Sequence, residues 1–285
     1  MNTGRKDGRR LRIALVEPFL GGSHRAWAEG YARHSRFEVE LFGLPASHWK
    51  WRMHGAHVTL ARRLADAVAD RGRFDLVLAS GMTNVAALLG LVRRSVGDVP
   101  VAVYMHENQL TFPLSPDDRA DLTYAMINWT SMVGADLVIF NSEFHRREWF
   151  DALPGLLGSM PDQRHSRFVD EVVDRSTVLP VGAELSALDR VVRSRGDRPL
   201  VLWNQRWQYD KGPADFTAAL TALLNEGVAF DVALAGDRAD EPTRVRRARW
   251  RLLPRAGGNV EDQPDGYAPG TPKAGPTCRL RGGPP

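Results

Sequence analysis

The 285 residues include 43% hydrophobic and 25% charged side chains, the balance of a soluble globular protein with one large or two ordinary domains. The apolar run near the N-terminus is broken by Glu17, too early for a signal peptide, and no later run reaches the roughly 18 residues of a membrane span; a cytoplasmic location is the default. The lone Cys278 excludes an intrachain disulfide and a cysteine-rich metal site.

A net charge of +4 and a pI near 9.5 invite a nucleic-acid reading. However, residues 238–285 hold 10 basic and 5 acidic residues, against 28 and 29 in residues 1–237. The basicity belongs to the C-terminal stretch and says nothing about the body.

The body predicts alternating strands and helices. The run 11–17, ending in Glu17 and Pro18, reads as a buried parallel strand. A helix follows over 24–35 and a second strand over 37–43. After a polar and aromatic loop, 55–71 has helical spacing through Val58, Leu60, Ala61, Leu64 and Val68. Strands are expected at 74–80, 99–105 and 135–141, with helices at 83–94 and 119–133 between them. The stretch 154–175 is less regular and polar, and 176–182 reads as the last strand of a first domain, 11–187. The pattern implies right-handed crossovers and a doubly wound α/β sheet.

Residues 188–198 read as a charged linker. A second Rossmann-like domain then opens over 199–237: a strand at 199–205, a turn at Asp210–Lys211–Gly212, a helix from 213 to 226 and a strand at 229–236. Residues 238–285 contain 8 Pro and 7 Gly, a low-complexity composition, and only 244–253 has any helical character. Either a natural disordered tail or a frameshifted or truncated end accounts for this stretch.

Five segments carry chemistry. Gly21, Gly22, Ser23 and His24 follow the first strand, where backbone N–H groups and a helix start can meet a phosphate or sugar. The alternative is a glycine turn with a serine N-cap. No GxGxxG is present, which disfavours a dinucleotide. Trp49, Lys50, Trp51 and Arg52 interleave aromatics with cations, a pattern that stacks on bases or a sugar ring while neutralising phosphate; equally, both indoles could pack on the domain. His106, Glu107, Asn108 and Gln109 end the strand 99–105, placed to bind sugar hydroxyls or handle a proton, or else to form a structural network. Asn141 and Ser142 end the next strand, where Ser142 can also cap a helix. Asn204, Arg206 and Lys211 lie at a strand end in the second domain, and the two cations can converge on a diphosphate.

Together EPFLGGSH, LPASHWKWRMHG, HENQLTFP, FNSEFH and LWNQRWQYDKG, in this order, resemble the tRNA-queuosine α-mannosyltransferases over residues 12–237. The resemblance implies a GT-B-like fold and a retaining enzyme that moves mannose from GDP-mannose to queuosine in a tRNA anticodon, with no cofactor and no metal. It implies that Gly22, Ser23 and His24 line the cleft, that His106 and Glu107 face the transferred sugar, and that Arg206 and Lys211 neutralise the departing diphosphate. The leaving phosphate would itself take the acceptor proton. Related GT-B enzymes also carry a glutamate-pair motif of the HEFFG…EA type, which 238–285 lacks. Two other readings stand beside this one: a GT-B transferase with a lipid or small-molecule acceptor, and an inactive truncated remnant.

Overall fold

A computed structural model of the chain describes residues 5–6, 9–114, 119, 121–186, 198–235 and 246–249. Most of the expected linker and tail lies outside them. The chain divides into two compact units, Met1–Pro113 with Asp118–Val191, and Leu114–Asp117 with Val192–Pro285.

The first unit is built on six parallel strands. They are β1 (Arg12–Leu20), β2 (Glu38–Pro45), β3 (Leu76–Ser80), β4 (Val101–Met105), β5 (Leu137–Phe140) and β6 (Ser176–Val178), in the order β2-β1-β3-β4-β5-β6. Its helices are α1 (Gly22–His34), α2 (Trp49–Arg71), α3 (Val85–Val96), α4 (Leu122–Val133), α5 (Glu143–Gly158) and α6 (Ser166–Asp174). Successive strand residues point to opposite faces, so Ala14, Val16, Val77, Ala79 and Val103 meet α2 to α6 in one core. Ile13, Leu15, Leu78 and Tyr104 pack with Trp27 and Ala28 of α1 in the other. Both faces are covered, which is why these strands read as continuous apolar runs.

Three expectations change. The loop expected before residue 55 is helical from Trp49 onward, because Met53 is buried one turn ahead of Ala56 and Leu60. The stretch 154–175 is not irregular: α5 runs through Pro154 on a buried side formed by Trp149, Leu153, Leu156 and Leu157, and α6 follows. Ser23 is no N-cap, since Gly21 holds that position with no side-chain bond and Ser23 lies in the first turn of α1.

The second unit contains β7 (Leu200–Trp203), α7 (Pro213–Asn225), β8 (Asp231–Leu234) and β9 (Arg246–Arg249), with a short 3-10 turn at Tyr209–Lys211. β7 and β8 are parallel, as a βαβ unit requires. β9 pairs antiparallel with β8, where the sequence suggested helical character.

The two faces of α2 differ sharply. Leu64 is fully buried whereas Val58 is 60% exposed. Leu64→Ala should cost about 2–5 kcal/mol in equilibrium urea unfolding, and Val58→Ala no more than about 0.5 kcal/mol. Equal losses would place the helix at the wrong rotation.

Candidate functional site

The strand order reverses at β1: the chain steps from β1 to β2 on one side and then to β3 on the other. In open α/β sheets ligands bind beyond the carboxyl ends of the strands at such a switch point. Here a pocket at that edge is lined by His24, Gly81, Met82, His106, Glu107 and Gln109.

Glu17, near the end of β1, is completely buried. One carboxylate oxygen accepts the Phe19 N–H at 2.9 Å and the other lies 2.9 Å from Nδ1 of His24. Burial by itself would lower the pKa of His24, but the hydrogen bond and charge of Glu17, with a smaller contribution from Glu107, raise it above 6.5. The ring of His106 lies 4.7 Å from that of His24 and meets Trp27 edge-on at 4.4 Å. Burial, then the neighbouring charges of His24 and His145, push His106 down to about 3. Its Nε2 is buried and has no hydrogen-bond partner among the described residues. Each of Glu17, His24 and His106 offers a ligand atom within 4.8 Å of the others. That donor set can hold a divalent cation, although both Glu17 oxygens are already engaged.

The glycines before His24 have separate reasons. Gly22 has φ +51°, the left-handed region, and a β-carbon on Gly21 would collide with that of Ala46 in the loop before α2. That close approach joins the turn after β1 to the start of α2.

The other expected site residues divide into those that hold backbone and those that face the pocket or the solvent. Asn141 Nδ2 donates to the carbonyl of His106 at 2.8 Å, and its Oδ1 lies 3.0 Å from Nδ1 of His145. Ser142 caps α5 by accepting the His145 N–H, as the alternative reading had it. Asn108 Oδ1 accepts the N–H groups of Leu110 and Thr111, which shapes the turn after β4. Glu107 is exposed, and Gln109 Nε2 donates to it at 3.3 Å. Trp49, Lys50 and Trp51 are exposed at the start of α2, while Arg52 donates to the Pro45 carbonyl and to Ser47 Oγ. In the second unit Asn204 and Arg206 are exposed, and Lys211 pairs with Asp210 at 2.9 Å. Gly212, with φ +65°, starts α7 ahead of Pro213.

Sequence reasoning gave no role to Glu17, Asn128 or His145. An acidic residue closing an apolar run, seven residues before a histidine, was the available signal for Glu17. Asn128 is buried inside α4 and donates to the Gly81 carbonyl at 2.6 Å, holding the turn that carries Met82.

An open, doubly wound parallel sheet covered by helices, with a histidine–carboxylate cluster at its switch point, is an α/β domain of the Rossmann type. Residues 12–183 match the family model for the N-terminal part of tRNA-queuosine alpha-mannosyltransferase, and the chain belongs to that family. A tRNA-queuosine alpha-mannosyltransferase of Drosophila melanogaster is 30% identical over 242 residues, which cover 80% of this chain and 62% of the fly protein. Among solved structures, Os79 from O. sativa in complex with UDP and deoxynivalenol-3-glucoside aligns over 76% of this chain and 65% of its own, at 11% identity and a TM-score of 0.43. UDP-N-acetylglucosamine 2-epimerase from Rickettsia bellii aligns over 80% and 62%, at 11% identity and a TM-score of 0.35.

His106 and His145, pushed down to about 3 and about 4, start from an ordinary value of 6.5. Unfolded imidazoles take protons first as the pH drops, so these two residues withdraw stability from pH 6.5 downward. His24 acts oppositely: its contribution is complete below 6.5 and is lost as the pH rises through its raised folded value. Denaturant unfolding between pH 7 and pH 4 should show stability falling with pH, and His106→Gln should flatten that slope. An unchanged slope would mean that His106 is not a buried neutral imidazole.

Proposed function

We propose that the chain is the front part of a retaining mannosyltransferase that transfers mannose from GDP-mannose to queuosine in a tRNA anticodon. Family membership supports this reading, and the observation that carries it is the Glu17–His24–His106 cluster at the switch point, inside the matched span. In this reading the first unit receives the acceptor. His106 and Glu107 hold the hydroxyls of the sugar in transit. Glu17 fixes His24, so that its outer nitrogen meets the polar end of the acceptor or the diphosphate.

Arg206 and Lys211 of the second unit bind the diphosphate, whose negative charge grows as the bond from the anomeric carbon to the phosphate oxygen breaks. The acceptor oxygen forms the new bond on the same face, and its proton passes to the leaving phosphate. No step requires a protein nucleophile, a cofactor or a metal. Among the described residues no helix is long and apolar enough to cross a membrane.

The chain spans less than two thirds of its fly relative, so binding and transfer need separate measurement. Incubation with radiolabelled GDP-mannose should label tRNA that contains queuosine and leave tRNA lacking it unlabelled; label on queuosine-free tRNA alone would remove the acceptor assignment. In calorimetric titration with GDP-mannose, Arg206→Ala and Lys211→Ala should each weaken binding by about 1.5–3 kcal/mol, the value of a charged hydrogen bond. Unaltered binding in both variants would free these residues from the diphosphate.

A further inference from the structure

The start of α2 forms a surface that the transfer chemistry does not use. Met53 turns inward, fully buried, into a cluster with Met82, Tyr124, Ile127 and Phe19. Trp49 and Trp51 stay 39% and 63% exposed. Single exposed apolar side chains are ordinary, but Trp49 is one edge of a shelf of rings, and Trp51, two residues on, projects from a different side of the helix. The indole of Trp49 lies 4.9 Å from the ring of Tyr124, and His54 lies 5.4 Å from the same ring.

Trp51 has a seat of its own. A β-carbon on Gly55 would come within 2.8 Å of the Trp51 indole, so the exposed ring lies over Gly55. Glycine inside a helix costs about 1 kcal/mol relative to alanine, and here it makes room for an aromatic plane with an open face.

The shelf adjoins the pocket and carries positive charge. Met82 belongs both to the cluster beneath the shelf and to the pocket wall with His24 and His106. The ammonium of Lys50 lies 5.7 Å from the Trp49 ring centre. The first turn of α2 contains no acidic residue, and the carboxylate that senses Lys50 and His54 is Asp121. Arg52, bonded to the loop before α2, braces the shelf and takes no part as a free cation.

Open indole faces interleaved with cations are the chemistry that holds unpaired nucleotides, with bases stacked and phosphates neutralised. We infer that Trp49, Trp51 and Lys50 form a landing surface for single-stranded RNA, which holds the nucleotides flanking the one presented to the pocket. The inference rests on the proposed function for the identity of the acceptor as RNA, and it adds where that RNA lies.

The test is fluorescence anisotropy with the full chain, using a labelled stem-loop RNA of anticodon type and a fully paired duplex of equal length. The stem-loop should bind more tightly. Trp51→Ala and Trp49→Ala should each lose roughly 5- to 150-fold in stem-loop affinity, the range for loss of one base–aromatic stack, with little change on the duplex. Lys50→Glu should weaken both RNAs and lower the salt dependence. Gly55→Ala should weaken stem-loop binding while the thermal midpoint stays level or rises, which a merely structural role for the glycine would not produce. Val58→Ala, on the same helix, is the control. Stem-loop binding that is indifferent to Trp49, Trp51 and Gly55 overturns the inference, as does equal affinity for loop and duplex. So does Trp51-dependent binding to anionic lipid vesicles without any effect on RNA. Trp51-dependent RNA binding with mannosyl label on queuosine-free tRNA alone would sink the proposed acceptor and leave the shelf; transfer to queuosine-containing tRNA without Trp51 dependence of binding would do the reverse.

Discussion

A carboxylate removed from water must be compensated, and the arrangement of this site follows from how Glu17 meets that demand. Burying an unpaired charge is costly enough that the group would rather neutralise. Glu17 instead has the Phe19 backbone N–H on one oxygen and His24 on the other. This fixes the turn after β1, the orientation of the His24 ring and its preference for a proton. A second imidazole, His106, stands against the first and remains neutral beside it. The two neighbouring histidines thus have opposite protonation tendencies.

Around this pair, the amides at the strand ends act as framework. Asn141 holds the His106 carbonyl from the adjacent strand, Asn108 closes the turn that follows His106, and Asn128 reaches from α4 to the Gly81 carbonyl. Each spans neighbouring backbone segments beyond the end of the sheet, where ladder hydrogen bonds have run out. Polar residues at the carboxyl edge thus divide into those that hold backbone and those that face the pocket, and residue type does not sort them. Asn108 and Gln109 are consecutive, yet only Gln109 lines the pocket.

The sheet was legible because both of its faces are buried, which leaves long apolar runs such as 74–80 and 99–105. The start of α2 was not, because Met53 is the only buried residue among its first five and its neighbours are aromatic or cationic. Pro154 hid α5, since a proline reads locally as a stop while the buried row Trp149, Leu153, Leu156 and Leu157 carries the helix through it. The strand-end histidines and glycines could be named from position alone. The pairing of Glu17 with His24 required knowing that one turn folds back over the strand, and a tertiary contact of that kind leaves only a weak trace in local pattern.

β1 is flanked by β2 and β3, with a packed core on each face of the sheet. Glu17 therefore sits on a strand that cannot open without dismantling the domain, and segments of that kind exchange only at the full cost of unfolding. The pocket has no independent life: its hydrogen-bonded Glu17–His24 pair is assembled by the same event that closes the sheet. A chain that has lost β2 or β3 from the ladder retains the residues of the site but not their protonation states, so competence for binding and completion of folding are one transition.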